Sequence, residues 1–162
     1  MLVGLISDTH GLLRDQAMAA LAGCELILHA GDVGTPEILD RLRALAPVVA
    51  VRGNVDKGPW ASALPATAVA DAGPVRIYML HNLQDLDLDP AAAGFQIVVS
   101  GHSHQPSRTA RAGVLYVNPG SAGPRRFRLP VTVARIDLGQ TPWKVEFVDV
   151  SCERPQASSK IE

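Results

Sequence analysis

The sequence predicts an α/β fold in which two sheets pack face to face with helices outside. Three observations carry this. Short apolar runs alternate with helical patterns in the first half of the chain, a rhythm that implies βαβ crossovers and a parallel sheet. Strand-like runs crowd the remainder, too many for so short a chain to lay into one sheet. The polar residues able to do chemistry sit just after those runs, where open α/β sheets bind their ligands.

The elements follow in order. Residues 2–7 (LVGLIS) form a continuous apolar run of strand length. Residues 12–21 have helical spacing, and 25–29 (ELILH) read as a second strand. In 36–46 (PEILDRLRALA) Pro36 lies in a first turn, where its missing N–H costs nothing, and Ile38, Leu39, Leu42 and Leu45 share one stripe. Residues 48–51 form the third strand. Beyond them 75–80, 96–100, 114–117, 131–138 and 143–150 are strand candidates, the last two joined through 139–142 as a hairpin. Only 89–93 hint at helix there. No repeat or linker divides the chain, so a single domain over 1–152 is expected, followed by a polar tail, 153–162, that frays.

Composition bounds the function. A chain of 162 residues can bury a sizeable core without disulfide staples. With 47% hydrophobic and 19% charged residues, and only 14 glycines and 12 prolines, it is neither disordered nor collagen-like. A net charge of -1 argues against a stable nucleic-acid partner, and 4% aromatics leave few platforms for stacking bases. Cys24 and Cys152 form no CxxC pair, which favours a reducing, cytoplasmic setting. No run is long enough to span a membrane. A small phosphate-bearing substrate stays open.

The chain has five histidines, and four of them fall with acids and an asparagine after strands. Asp8 and His10 follow the first strand, Asp32 (HAGDVG) the second and Asn54 (RGNVD) the third. His81 closes VRIYMLH, and His102 with His104 follows QIVVSG. Residues i and i+2 of an extended segment point the same way, so Asp8 with His10, and His102 with His104, read as two-pronged clamps. Taken singly, Gly31-Asp32 or Gly53-Asn54 is a plain turn, because Asn and Asp tolerate left-handed backbone. Their joint occurrence points to metal. These donors are too many for one tetrahedral zinc and suit two cations with a shared ligand. Asp32 is the natural bridge, having two oxygens and a central place in the order. His29 lies on the strand side of Asp32 and reads as structural support.

The ordered set Asp-x-His, Gly-Asp, Gly-Asn, His, Gly-His-x-His, with VNPGS and PRRF beyond it, resembles the calcineurin-like metallophosphoesterases, in their small single-domain YfcE-like branch. The resemblance implies a four-layer α/β/β/α sandwich of two mixed sheets, with metals at the strand ends. Asp8, His10, Asp32 and His104 would hold one metal, and Asp32, Asn54, His81 and His102 the other. It implies a dinuclear phosphoesterase that attacks with a hydroxide bridging two divalent ions, Mn2+ favoured and Zn2+ or Fe2+ compatible with the mixed O and N donors. Asn54 would both ligate and donate an N–H to a phosphoryl oxygen, which makes Asp32 and Asn54 the catalytic pair and Asn54 the substrate-binding residue.

Two departures matter. Many larger members have a histidine after Gly-Asn that assists the leaving group, and here Val55 stands there. A diester tolerates that loss, so a phosphodiesterase is expected. Near relatives follow the His81 position with Gly-His, whereas this chain has Asn82-Leu83, so the loop on that side must differ. Arg125, Arg126 and Arg128 read equally as a guide for an anionic substrate or as a solvated patch. The competing reading is an interaction scaffold, as in a retromer subunit resembling this family. Such a degenerate site would have lost donors, and here all stand. A nuclease is disfavoured by the charge. The apolar late strands fit a homo-oligomer or a core equally.

Overall fold

The computed structural model describes residues 1–151. Cys152 and the expected tail, 153–162, lie outside the described residues. Ten strands form two mixed five-stranded sheets. The first has the order β10-β9-β1-β2-β3, built from β1 (Leu2–Ile6), β2 (Leu26–His29), β3 (Val48–Ala50), β9 (Thr132–Asp137) and β10 (Lys144–Asp149). The second has the order β4-β5-β6-β8-β7, from β4 (Thr67–Ala72), β5 (Val75–Leu80), β6 (Ile97–Val99), β7 (Ser107–Arg111) and β8 (Val114–Asn118). In the first sheet β1, β2 and β3 run parallel and β9 lies antiparallel to both β1 and β10; in the second β5, β6 and β8 run parallel and the edge strands β4 and β7 antiparallel.

The continuous apolar strands are explained by burial on both faces. Val3, Leu5, Leu26 and Leu28 of the first sheet pack between the sheets against Ile77, Met79, Ile97 and Val99 of the second. The alternate residues Ile6 and Ile27 face outward onto Ala17 and Leu21 of α1 (Asp15–Leu21) and Ile38, Leu39 and Leu42 of α2 (Pro36–Arg43). Gly4 permits this close approach, since a Cβ there would lie 2.7 Å from Leu21 and 3.1 Å from the buried Cys24 thiol. Outside the second sheet the layer is thin. Leu83, Leu86, Leu88 and Phe95, from a 3-10 turn (Leu83–Asp85) and a loop, cover Tyr78, Leu80 and Val98. No helix among the described residues is long and apolar enough to cross a membrane.

The sequence reading misses β4, β7, the turn Leu83–Asp85 and α3 (Pro59–Ser62). All five residues of β7 are exposed, so it carries no apolar alternation. β4 is largely alanine at an edge, and α3 is a single turn. Residues 89–93 are not a helix. Asp89 takes the Ala91 and Ala92 N–H groups on its side chain and closes one turn with Ala93 N at 2.9 Å, which Gly94 at φ 83° ends. The helix expected from residue 12 begins only at Asp15.

Candidate metal centre

Parallel register brings the carboxyl ends of the strands level. Ile6 pairs with His29 and Met79 with Val99, so the loops that follow share one rim. The loops are tied to one another by Asp8 N to Gly31 O (3.0 Å), His10 N to Asp32 O (2.9 Å) and Gly101 N to His81 O (2.9 Å). Among the described residues seven non-glycines have positive φ, and five of them are Asp8 (55°), His10 (47°), Asp32 (53°), His102 (70°) and His104 (61°). Left-handed backbone costs an ordinary residue about 1–3 kcal/mol and persists where surrounding contacts impose it, characteristically at functional sites.

That kinked backbone corrects one of the two clamps: Asp8 Oδ1 and His10 Nε2 do converge, 3.8 Å apart. His102 and His104 are not extended and do not aim together. His104 stands against His10, with Nε2 atoms 3.4 Å apart, while His102 Nδ1 lies 3.1 Å from Asn54 Oδ1. His81 Nε2 meets the same Asn54 oxygen at 3.0 Å. The donors therefore divide into a His10–His104 side and an Asn54–His81–His102 side, with two buried carboxylates between them.

Each carboxylate has one oxygen held and one aimed inward. Asp8 Oδ2 accepts from the Ser7 hydroxyl (2.6 Å) and the His102 N–H (3.1 Å). Asp8 Oδ1 is buried without a hydrogen bond, although His104, His10 and His81 bring their Nε2 atoms to 3.2, 3.8 and 3.9 Å. Asp32 Oδ1 accepts from the Val55 N–H (3.0 Å), and its Oδ2 lies 3.2 Å from His81 and 3.7 Å from His10. Two ligand-like groups result, Asp8–His10–His104 and Asp8–Asp32–His81. Asp8 is common to both, a position sequence reasoning gave to Asp32 alone.

His81 shows why a cation fits. Its Nδ1–H donates to Ala30 O at 2.7 Å, so a neutral ring turns the Nε2 lone pair toward the oxygens of Asp32, Asn54 and Asp8. Only an added proton or a cation makes that arrangement favourable. Burial lowers the His81 pKa, but the Asp32 and Ala30 hydrogen bonds and the charges of Asp8 and Asp32 outweigh it, and the net shift is upward. Burial likewise opposes ionisation of Asp32, yet the His81 and Val55 hydrogen bonds and the charges of His81 and His10 leave its pKa lowered. Such carbonyl-anchored imidazoles are the usual form of metal-ligating histidine. The hard oxygens and borderline nitrogens suit Mn2+, Fe2+ or Zn2+.

Apart from His29, the supporting residues were not singled out from the sequence. Asp56 accepts N–H bonds from Gly53 (2.9 Å), Gly34 (2.9 Å) and Val33 (3.2 Å), locking the Asp32 and Asn54 loops together. Asn118 donates to Gly101 O and Ser103 Oγ, fixing the loop between His102 and His104. Ser121 Oγ holds Asp8 O at 3.0 Å. The only signal for Asp56 and Asn118 was their place inside VRGNVD and VNPGS. Gly53 and Gly101 are required sterically, since a Cβ at either would overlap Asp32 Oδ1 or Ser7 Oγ respectively. His29 Nδ1 accepts from Gly31 N (3.2 Å), so its Nε2–H points at Thr9 Oγ1 (3.0 Å), which donates to Val33 O. Burial pushes the His29 pKa down to about 4.

Val55 is exposed beside the centre and contributes only its N–H. Arg125 Nε donates to Leu129 O, leaving Arg126 exposed on the same loop, where its charge helps lower the His10 pKa, after burial and against the pull of Asp32 and Asp8. A groove of about 370 Å³ opens on Asn54, His81 and His102.

The calcineurin-like phosphoesterase superfamily domain matches residues 1–141. The chain is 35% identical over 150 residues to the "Probable metallophosphoesterase" of Methanothermobacter thermautotrophicus, covering 85% of this chain and 87% of that one. This chain belongs to the calcineurin-like phosphoesterase superfamily. Its fold is shared by a conserved protein of Streptococcus pneumoniae described as a predicted phosphoesterase (TM-score 0.74, 24% identity, 96% and 93% of the two chains). It is shared too by Vps29 of Chaetomium thermophilum (TM-score 0.72, 20% identity, 91% and 97%). The four-layer sandwich implied by the resemblance is thus the observed architecture, with its outer layer on the second sheet reduced to a turn and a loop. Asp8 Oδ1 is a buried acceptor without a donor, which is rare in a folded protein.

Proposed function

We propose that this phosphoesterase hydrolyses a phosphodiester using two divalent cations, Mn2+ favoured and Zn2+ or Fe2+ compatible, held by Asp8, His10, Asp32, Asn54, His81, His102 and His104. The observation that carries the reading is Asp8 Oδ1, buried, without a hydrogen bond and ringed by three imidazole nitrogens. When bound there, a pair of cations supplies Lewis acidity and an activated water. Asp32 would be the shared ligand, its Oδ2 facing both His10 and His81, while Asp8, common to both ligand-like groups, would hold the His104 side through Oδ1. Asn54 turns Oδ1 to His81 and His102, which leaves its amide N–H groups for a phosphoryl oxygen. Val55 offers no proton to a leaving group, which favours diesters over monoesters. The functional unit is a single domain over 1–152, acting in the cytoplasm on a small phosphate ester without a stable nucleic-acid or membrane partner.

The scaffold reading draws support from the fold shared with Vps29, and the full set of donors supports the hydrolase. The test uses metal-stripped protein, restored with one ion at a time, on a chromogenic diester and a monoester. Turnover restored by metal and abolished in Asp8→Ala and His104→Ala supports the proposal. Absence of turnover with every ion favours the scaffold.

A further inference from the structure

We infer that the groove beside the metal centre receives a polyhydroxyl alcohol, of glycerol to hexose size, as one organic arm of the diester; this rests on the phosphoesterase reading above. The groove, about 370 Å³, opens directly on Asn54, His81 and His102, so a group seated in it is contiguous with a phosphoryl group at the centre. Its wall is mostly apolar, through Ala66, Leu80 and the carbon stems around them, and carries the polar groups of Arg52, Thr67, Asn82 and Asp85.

The polar groups are set for hydroxyls. Asn82 Oδ1 accepts the Gln84 N–H at 3.1 Å and caps the turn Leu83–Asp85, which leaves the Asn82 amide N–H groups for a ligand and carries Asp85 to the groove. The Arg52 backbone is fixed to Pro65 O at 2.8 Å, and one guanidinium nitrogen reaches Leu64 O only at 3.4 Å. Asp85 accepts while Arg52 and Asn82 donate. A hydroxyl does both, so neighbouring hydroxyls can satisfy all three residues. The opposite charges of Arg52 and Asp85 select neither a second anion nor a cationic head group. Among the described residues no Phe, Tyr or Trp lines the groove, so they offer a nucleobase no stacking partner. The apolar part suits the C–H face of a polyol.

The experiment compares two diesters with the same 4-nitrophenyl leaving group, one carrying glycerol and one propyl. Metal-restored wild type is expected to favour the glycerol ester by about tenfold in kcat/KM, because its hydroxyls add hydrogen bonds to Arg52, Asn82 and Asp85 that a propyl group cannot make. Asp85→Ala and Arg52→Ala each reduce that ratio to within about threefold of unity, while Glu146→Ala, on β10, retains it. A wild-type ratio near one, or a ratio that survives in both groove variants, overturns the inference. If neither ester turns over, the phosphoesterase reading fails, and the groove is judged by NMR titration of metal-free protein. Amide shifts at Thr67, Asn82 and Asp85 with glycerol 1-phosphate but not propyl phosphate then sustain it, and their absence overturns it.

Discussion

Asp8 Oδ1 lies 3.2 Å from His104 Nε2 and accepts no hydrogen bond, while Asp8 Oδ2, on the same carboxylate, is held by Ser7 and His102. One oxygen is spent on orientation and the other is left facing imidazoles from three loops. The same division recurs at Asp32, where the Val55 N–H holds Oδ1 and Oδ2 faces His81 and His10. A buried acceptor without a donor is a cost in a metal-free protein, and cation binding removes it.

Metal content should therefore respond unequally to substitution. Asp32→Ala removes the ligand shared by both positions and is expected to lose both ions, whereas His104→Ala weakens chiefly the His10 side. Arg126→Ala leaves the content unchanged. Elemental analysis after dialysis against trace Mn2+ distinguishes these outcomes. Retention of both ions in Asp32→Ala contradicts the shared ligand.

The supporting carboxylate is as testable as the ligands. Asp56→Ala strands three backbone N–H groups, and charged hydrogen bonds are each worth about 1.5–3 kcal/mol. A loss of about 3–5 kcal/mol in chemical denaturation is expected for such a buried network, together with a 10–100-fold weaker metal affinity. A variant with unaltered stability and affinity would show that Asp56 does not organise the two loops.

These two tests also mark what the sequence disclosed. Asp8, His10, Asp32, Asn54, His81, His102 and His104 were legible because each follows an apolar run in a fixed order, and the sheets were legible because their strands are buried on both faces. Asp56 and Asn118 were not, because a polar residue that caps a loop has no periodicity of its own. The division of His102 from His104 was hidden as well, since it depends on left-handed backbone at both residues. β7 escaped because every residue in it is exposed.

His29 predicts a pH dependence of folding. Its pKa falls from 6.5 to about 4 on burial, so between those values the unfolded chain binds the extra proton and the folded one does not. Stability is therefore full above pH 6.5 and is lost as pH falls toward 4, by about 3 kcal/mol from this group. Denaturation of metal-free wild type and His29→Gln across that window measures the difference. Parallel curves for the two proteins would refute the assignment of a neutral, buried ring.

Val55 predicts a gain of function. It is 45% exposed beside the centre, so a histidine can be accommodated there. Val55→His is expected to raise turnover of esters with poor leaving groups by about 10²-fold, the lower end of general acid catalysis, with little change for 4-nitrophenyl esters. An equal change for both leaving groups would count against a missing proton donor.

The most direct measurement is anomalous diffraction from crystals grown with Mn2+. Two anomalous peaks are predicted, one among Asp8, His10, Asp32 and His104 and the other among Asp32, Asn54, His81 and His102, with an Asp32 oxygen between them. A crystal that binds no Mn2+ at this rim, or only one ion with Asp32 unligated, would contradict the account.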